Sequence, residues 1–226
     1  MQTNGEVFIC QEGYAKSLLQ RFGMEQCNPV STPVDPAQKM KDPTEPLSEA
    51  EFPFRELIGC LMYLAVSTRP DISYAVNSLS QFNSKFGKEH WIGAKRILRY
   101  LKGTLDYGLR YSPSDNSVCG YVDADWAGCV KDRKSYTGYA FKMANAATSW
   151  ESRKQQTVAL SSTEAEYMAI ADCTKEAIHV QRFIGEATWT SSKGITIFND
   201  NQGAHQLAKN PVFHSRTKHI DVRHHF

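Results

Sequence analysis

Acidic residues occur in three stretches of the sequence whose surroundings suit a divalent-metal site. Asp123 and Asp125 come at the end of one apolar run, two glutamates lie within residues 161–169, and Asp200 follows another apolar run at residues 195–198. Magnesium prefers oxygen ligands and retains some of its waters, so carboxylates gathered by a fold can bind it. The three stretches predict a strand-end aspartate, a helical glutamate and a second strand-end aspartate.

The aspartates also have ordinary structural explanations. A turn aspartate accepts hydrogen bonds from its own backbone, which suits Asp125 well and is an alternative for Asp123. Asp200 could be the N-cap of a helix that begins at Gln202, and its stretch alone does not separate this interpretation from metal binding. A buried carboxylate at Asp123 would be costly unless it were paired or bound to a cation.

The two glutamates, Glu164 and Glu166, lie in the first turn of a predicted long helix at about residues 163–186. Each has a Ser or Thr three residues earlier and could complete a capping box, so at most one is expected at a catalytic site. The apolar residues 167–170 then enter the core. This order places Glu166 beside the sheet and leaves Glu164 as the cap.

Asp221 lies in a histidine-rich segment near the end of the chain. The spacings between His214, His219 and His224 are those of a zinc finger, but no cysteine pair precedes them, so zinc is not expected. On a basic terminal helix, Asp221 is either a surface ion-pair partner or a fourth carboxylate of the metal site.

The remaining sequence predicts two regions. Residues 1–112 are mostly helical and contain a strand at residues 7–10 and a proline-rich linker at residues 27–46. Arg69 and Pro70 interrupt a helical pattern, and Asp71 is predicted to be the N-cap of the next helix. A basic row follows in a later helix, where a solvated face is favoured over phosphate contact; its residues are Lys95, Arg99 and Lys102.

Residues 113–226 predict an α/β fold, a mixed sheet flanked by helices in the order β-β-β-α-β-α-α. In open sheets of this kind, sites form at strand ends. The predicted strands are residues 118–123, 136–143, 147–152 and 195–198, the last of a buried type. The predicted helices are residues 163–186, 202–209 and a last one from residue 217.

The bulk composition limits the class of protein. The net charge is +2, so any basic surface that binds nucleic acid must be local. The six cysteines form no CxxC pair and predict no disulfide framework, which favours a reducing compartment. No apolar run reaches the roughly 20 residues that span a bilayer. A soluble intracellular protein is expected.

Several motifs in order resemble the C-terminal part of a copia-type LTR retrotransposon Pol polyprotein, where the end of reverse transcriptase joins the ribonuclease H domain. They are YVDADWAG (121–128), RKSYTGY (133–139), SW (149–150), SSTEAEY (161–167), DNQ (200–202) and RTKHID (216–221), with QEGYAK (11–16), RFGM (21–24) and TRPDI (68–72) upstream. The resemblance implies a reverse transcriptase remnant of thumb or connection type at residues 1–112. It implies a ribonuclease H-like domain at residues 113–226.

By the same resemblance, Asp123, Glu166, Asp200 and Asp221 map onto the family's metal-binding carboxylates. The implied cofactor is a pair of Mg²⁺ ions, with Mn²⁺ as the alternative. The implied reaction is hydrolysis of the RNA strand of an RNA–DNA hybrid, which leaves 5′-phosphate and 3′-hydroxyl ends. One histidine could assist product release or proton transfer; the candidates are His214, His219, His224 and His225.

Further expectations follow from this resemblance. The paired-aspartate motif of the polymerase is absent, so no DNA polymerase activity is expected. A chain that ends at Phe226 would hold Asp221 less firmly. A cytoplasmic location, including virus-like particles, is expected, without a membrane partner. The alternative function is a catalytically inactive, nucleic-acid-binding remnant of a decayed element.

Overall fold

The computed structural model describes residues 2–3, 5–37, 40–113, 117–188 and 194–209. The chain divides into two compact units, Met1–Tyr111 and Ser112–Phe226. Over the described ranges, no helix has the length and apolar character needed to cross a membrane. All six cysteines are free, so the prediction that they form no disulfide framework is confirmed.

The first unit combines four α-helices with a small antiparallel sheet in its described residues. In chain order the elements are β1 (Gln2–Thr3), β2 (Glu6–Cys10), α1 (Glu12–Arg21), α2 (Phe54–Ser67), α3 (Ser73–Ser80), α4 (Lys88–Gly103) and β3 (Gly108–Tyr111). The sheet order is β1-β2-β3. Apolar residues spaced for one helical face of α2, including Leu57, Leu61 and Leu64, are fully buried and form one core with α4.

The proline-rich segment packs along α4. The Arg96 guanidinium donates to the Thr32 carbonyl at 3.2 Å, and Arg99 donates to the Asn28 carbonyl at 2.8 Å. A glycine of α4 permits the close approach, because a Cβ at Gly93 would lie 2.6 Å from the Met40 methyl carbon. Arg99 therefore holds this segment, a role that neither interpretation of the basic row included.

Asp71 does not cap α3, so that prediction is wrong. Its carboxylate accepts three hydrogen bonds from the buried Arg69 guanidinium, the shortest at 2.7 Å, and one from the Tyr100 hydroxyl at 2.8 Å. Arg69 also donates to the Thr104 carbonyl at 3.0 Å. A bidentate pair with a buried arginine is stronger than a single cap bond, so the side chain turns away from the helix end.

The second unit contains a four-stranded mixed sheet with helices. Its elements are β4 (Cys119–Asp125), β5 (Tyr136–Met143), β6 (Ala146–Lys154), α5 (Ser162–Thr188), β7 (Thr196–Phe198) and α6 (Gln202–Lys209). The sheet order is β6-β5-β4-β7, antiparallel except that β7 runs parallel to β4. The predicted α/β class and element order are confirmed up to α6, and the last predicted helix lies outside the described residues.

The middle of α5 packs on one face of this sheet. Val122 and Phe141 from the strands form a core with Ala169 and Cys173 from the helix. The opposite face is more open, since the Phe198 ring is half-exposed and stacks on Tyr121 at 5.2 Å between centroids. The prediction that residues 195–198 form a buried strand is therefore wrong, because one face of β7, with Thr196 and Phe198, is exposed.

Candidate metal centre

β4 brings Asp123 to the centre of the sheet. The strand alternates between a buried face that contains Val122 and an exposed face that contains Asp123. Asp123 pairs with Gly138 of β5, and β4 continues to Asp125, so Asp123 lies inside the strand and not at its predicted end. One Asp123 carboxylate oxygen accepts the Ala124 backbone N–H at 2.8 Å.

The first turn of α5 separates the roles of its two glutamates. The Ser161 hydroxyl accepts the Glu164 backbone N–H at 3.1 Å, and the Glu164 carboxylate accepts the Leu160 N–H at 2.9 Å. Glu164 thus caps the helix, as predicted. Glu166 is buried and takes part in a different set of contacts, with Asp123 as a neighbour.

The parallel pairing of β7 with β4 places Asp200 beside Asp123. Tyr121 of β4 is in register with Phe198 of β7, and each aspartate follows its paired residue by two positions. Because the two strands run in the same direction, this register brings the two carboxylates side by side. This register joins residues that are far apart in the sequence.

Asp200 is not the N-cap of α6. The Asn201 side-chain oxygen accepts the Ala204 backbone N–H at 2.9 Å, which is the cap interaction. The Asp200 carboxylate is thereby left exposed and available to a ligand.

Asp123, Glu166 and Asp200 form one cluster, in which a carboxylate oxygen from each residue lies within 4.8 Å of the others. Within the described parts of the chain, this is the one group of three or more acidic, histidine or cysteine side chains with such geometry. Burial, aided by the hydrogen bond and negative charge of Asp123, raises the pKa of Glu166 to about 7. A cation would relieve this repulsion, because it attracts all three carboxylates.

Asn199 organises the cluster, a role that no sequence motif predicts. Its amide nitrogen donates to a Glu166 carboxylate oxygen at 2.8 Å and to the Val122 carbonyl at 3.2 Å. Its amide oxygen accepts the Asn201 backbone N–H at 3.0 Å. One side chain therefore links α5, β4 and the loop that carries Asp200. The only sequence signal was an amide residue directly before the predicted ligand.

Asp125 is not part of the cluster. It ends β4, and its carbonyl accepts the Gly128 N–H at 3.3 Å in the following turn. A side chain at Gly128 would collide with the Asp125 carboxylate, which would then have to turn away from its present position. The turn interpretation of Asp125 agrees with these contacts.

The fourth predicted ligand, Asp221, lies outside the described residues, as do His214, His219, His224 and His225. The cluster of three therefore contains every predicted carboxylate ligand that the structure describes.

The chain is similar to retrotransposon polyproteins over nearly its whole length. It is 44% identical over 231 aligned residues to the Retrovirus-related Pol polyprotein from transposon TNT 1-94 of Nicotiana tabacum, covering 100% of this chain and 17% of that protein. It is 41% identical to the Retrovirus-related Pol polyprotein from transposon RE1 of Arabidopsis thaliana, covering 96% of this chain and 15% of that protein. A shorter relative, Secreted RxLR effector protein 161 of Plasmopara viticola, is 50% identical over 56% of this chain and 89% of its own length.

No protein-family model matches the sequence, and no solved structure matches it significantly. The identities and coverage show that the chain belongs to the Pol polyproteins of copia-type retrotransposons. It spans 17% of the length of the tobacco polyprotein, so it corresponds to one segment of such a protein.

Proposed function

We propose that the second unit is a metal-dependent endonuclease of the ribonuclease H type, which hydrolyses the RNA strand of RNA–DNA hybrids. The observation that carries this proposal is the convergence of Asp123, Glu166 and Asp200 within 4.8 Å. The sheet order β6-β5-β4-β7, with β7 parallel to β4 and a long helix packed on the sheet, supports a ribonuclease H-like fold. Membership of the Pol family supports a role in reverse transcription of a retrotransposon in the cytoplasm.

The donor set fits Mg²⁺, with Mn²⁺ as the alternative. All three side chains offer carboxylate oxygens, the ligands that a hard dication prefers, and the described cluster contains no sulfur or imidazole ligand. Asp123, Glu166 and Asp200 would hold the ions, and Asp221 is proposed as the fourth ligand. When bound, a pair of such ions activates a water and stabilises the leaving oxygen in phosphoryl displacement.

The chain's own groups would keep the carboxylates oriented. Asn199 holds one Glu166 oxygen, and the Ala124 N–H holds one Asp123 oxygen, which fixes how the remaining oxygens are presented. Asp123 and Asp200 are exposed while Glu166 is buried, so a duplex can approach the site from the solvent side. Hydrolysis is expected to leave a 5′-phosphate and a 3′-hydroxyl.

A cleavage assay tests the proposal. The wild-type chain with Mg²⁺ should cut the RNA strand of a labelled RNA–DNA hybrid and leave duplex DNA intact. Asp123→Asn should lower the rate at least about a hundredfold, because it removes a charge from the proposed metal site. Asp125→Asn, the matched control outside the cluster, should lower it by less than about tenfold.

Two results would reject the ribonuclease proposal. One is an absence of cleavage by folded wild-type protein, and the other is equal cleavage by wild type and Asp123→Asn. The alternative, an inactive nucleic-acid-binding remnant, requires hybrid binding without turnover, and the comparisons with relatives do not favour it.

A further inference from the structure

An apolar patch lies between the two elements that supply Asp123 and Glu166. It consists of Trp126, directly after β4, and of Val158 and Leu160, directly before α5. Their exposed fractions are 50%, 47% and 70%, which is high for large apolar side chains. These three residues form the Trp126 patch.

The Trp126 ring is held in place although half of it meets solvent. Its indole N–H donates to the Ala159 carbonyl at 3.2 Å, which links the end of β4 to the segment before α5. Ala159 is itself buried in a small cluster with Ala165, next to Glu166, and this cluster packs against Ala124, next to Asp123. The patch is therefore anchored to the same packed residues that support the carboxylates.

The loop at residues 126–135, which begins with Trp126, is basic and is held by side-chain contacts. Three basic residues, Lys131, Arg133 and Lys134, lie in it. Its single acidic residue, Asp132, pairs with Lys154 of β6 at 2.8 Å. The hydroxyl of the buried Ser135 accepts the Ala127 N–H at 3.0 Å, which closes the loop on itself.

We propose that the Trp126 patch and Arg133 form a contact surface for the RNA–DNA hybrid beside the metal centre. An exposed, fixed indole in the same loop as basic side chains suits a hybrid duplex, since a ring can pack on the sugars at the wide minor groove while arginine contacts phosphates. The Trp126 patch and the carboxylate cluster rest on the same packed residues. A duplex that brought a phosphate to the cluster would therefore also meet the patch. This inference rests on the proposed function for the identity of its ligand.

Binding of a fluorescent RNA–DNA hybrid in EDTA tests the surface without turnover. Trp126→Ala should weaken binding about fivefold or more, as should Leu160→Ser, because each removes apolar area that the hybrid would cover; the Leu160 side chain is mostly exposed, so its loss should not affect folding. Phe183→Ala is the matched control, because this ring is 64% exposed on α5 far from Glu166. It should leave the Kd within twofold of wild type.

The salt dependence of hybrid binding tests the phosphate contact proposed for Arg133. Arg133→Gln should reduce the slope of log Kd against log salt concentration by about 0.7–0.9, the value for one lost phosphate contact. Arg182→Gln, on the exposed side of α5, should leave the slope unchanged.

The proposal is overturned if Trp126→Ala and Leu160→Ser both bind within twofold of wild type, or if Phe183→Ala loses as much affinity as they do. Cleavage in Mg²⁺ is scored separately on the same proteins. A wild type that binds through the patch but does not cleave would reject the ribonuclease proposal and keep this surface. A wild type that does not bind the hybrid would overturn the surface as well.

Discussion

At the scale of single residues, the site depends on how Glu166 is held. Its carboxylate is buried beside Asp123, which disfavours its charge, and it accepts a hydrogen bond from Asn199, which favours it. Burial has the larger effect, so the pKa is raised. The same amide fixes the carboxylate in one orientation. Glu166 is thus strained electrostatically but well placed for a cation.

Asn199→Ala should weaken metal binding with little effect on folding. Loss of an oriented partner behind a ligand typically costs about 10–100-fold in metal affinity or activity. Titration calorimetry with Mn²⁺ in the absence of hybrid measures this directly, and hybrid cleavage measures its consequence. Asn77→Ala, in α3 of the first unit, is the control. Unchanged Mn²⁺ affinity in Asn199→Ala would show that this amide does not position the ligand.

The metal-free protein should lose stability as pH rises through the range set by Glu166. Its pKa is about 7 in the fold against 4.5 for the unperturbed group, so between these values the native state holds a proton that the unfolded state has released. The free energy of unfolding therefore falls from about pH 4.5 to about pH 7. Glu166→Gln should remove this slope and be more stable than wild type at pH 8.

Urea unfolding in EDTA at several pH values measures this slope. Glu164→Gln is the matched control, because it alters the cap and leaves Glu166 in place, so the slope should remain. An identical slope in wild type and Glu166→Gln would contradict the prediction.

At the scale of elements, buried polar contacts fix how neighbouring segments join. In the first unit, Arg69 connects the turn after α2 to the end of α4 through Asp71 and Thr104. In the second unit, Asn199 has the same function between α5, β4 and the end of β7. Each case uses one side chain with several donors, because a buried polar group must have its hydrogen bonds satisfied.

Arg69→Lys should destabilise the first unit by about 2–4 kcal/mol. Lysine cannot reproduce the planar fork, so Asp71 and Thr104 would lose bonds in a largely buried setting. Arg55→Lys is the control: the Arg55 side chain is 63% exposed and its pair with Glu49 is long, at 3.7 Å, so stability should change by less than about 0.5 kcal/mol. Urea unfolding compares the two, and equal effects would show that the Arg69 fork is unimportant.

At the scale of the whole molecule, the chain is built from two compact units with different cores. The first buries apolar helix faces and binds the proline-rich segment against α4. The second builds one sheet whose parallel strand pair creates the carboxylate cluster. The similarity to Pol polyproteins runs across both units. The proposed chemistry resides in the second unit, and the described residues of the first contain no comparable acidic cluster.

The sequence by itself determined the element types, because periodicity and capping are local. The strand Tyr136–Met143 and the helix Gln202–Lys209 were predicted with their observed bounds, and the choice of Glu166 over Glu164 followed from the apolar residues after it. Local patterns failed where a distant partner competed. Asp71 accepts a hydrogen bond from Tyr100 of α4 instead of capping α3, and its neighbour Arg69, which also donates to it, is bound to Thr104 at the end of α4.

Only the tertiary structure decided that the carboxylates meet. The register of β7 against β4 brings Asp200 to Asp123, and no short-range pattern specifies a pairing between segments so far apart. The role of Asn199 likewise depends on the tertiary structure, since its partners Glu166 and Val122 lie on other elements. The chemistry of each side chain follows from its residue type, but the distances between side chains are set by the packing of the whole unit.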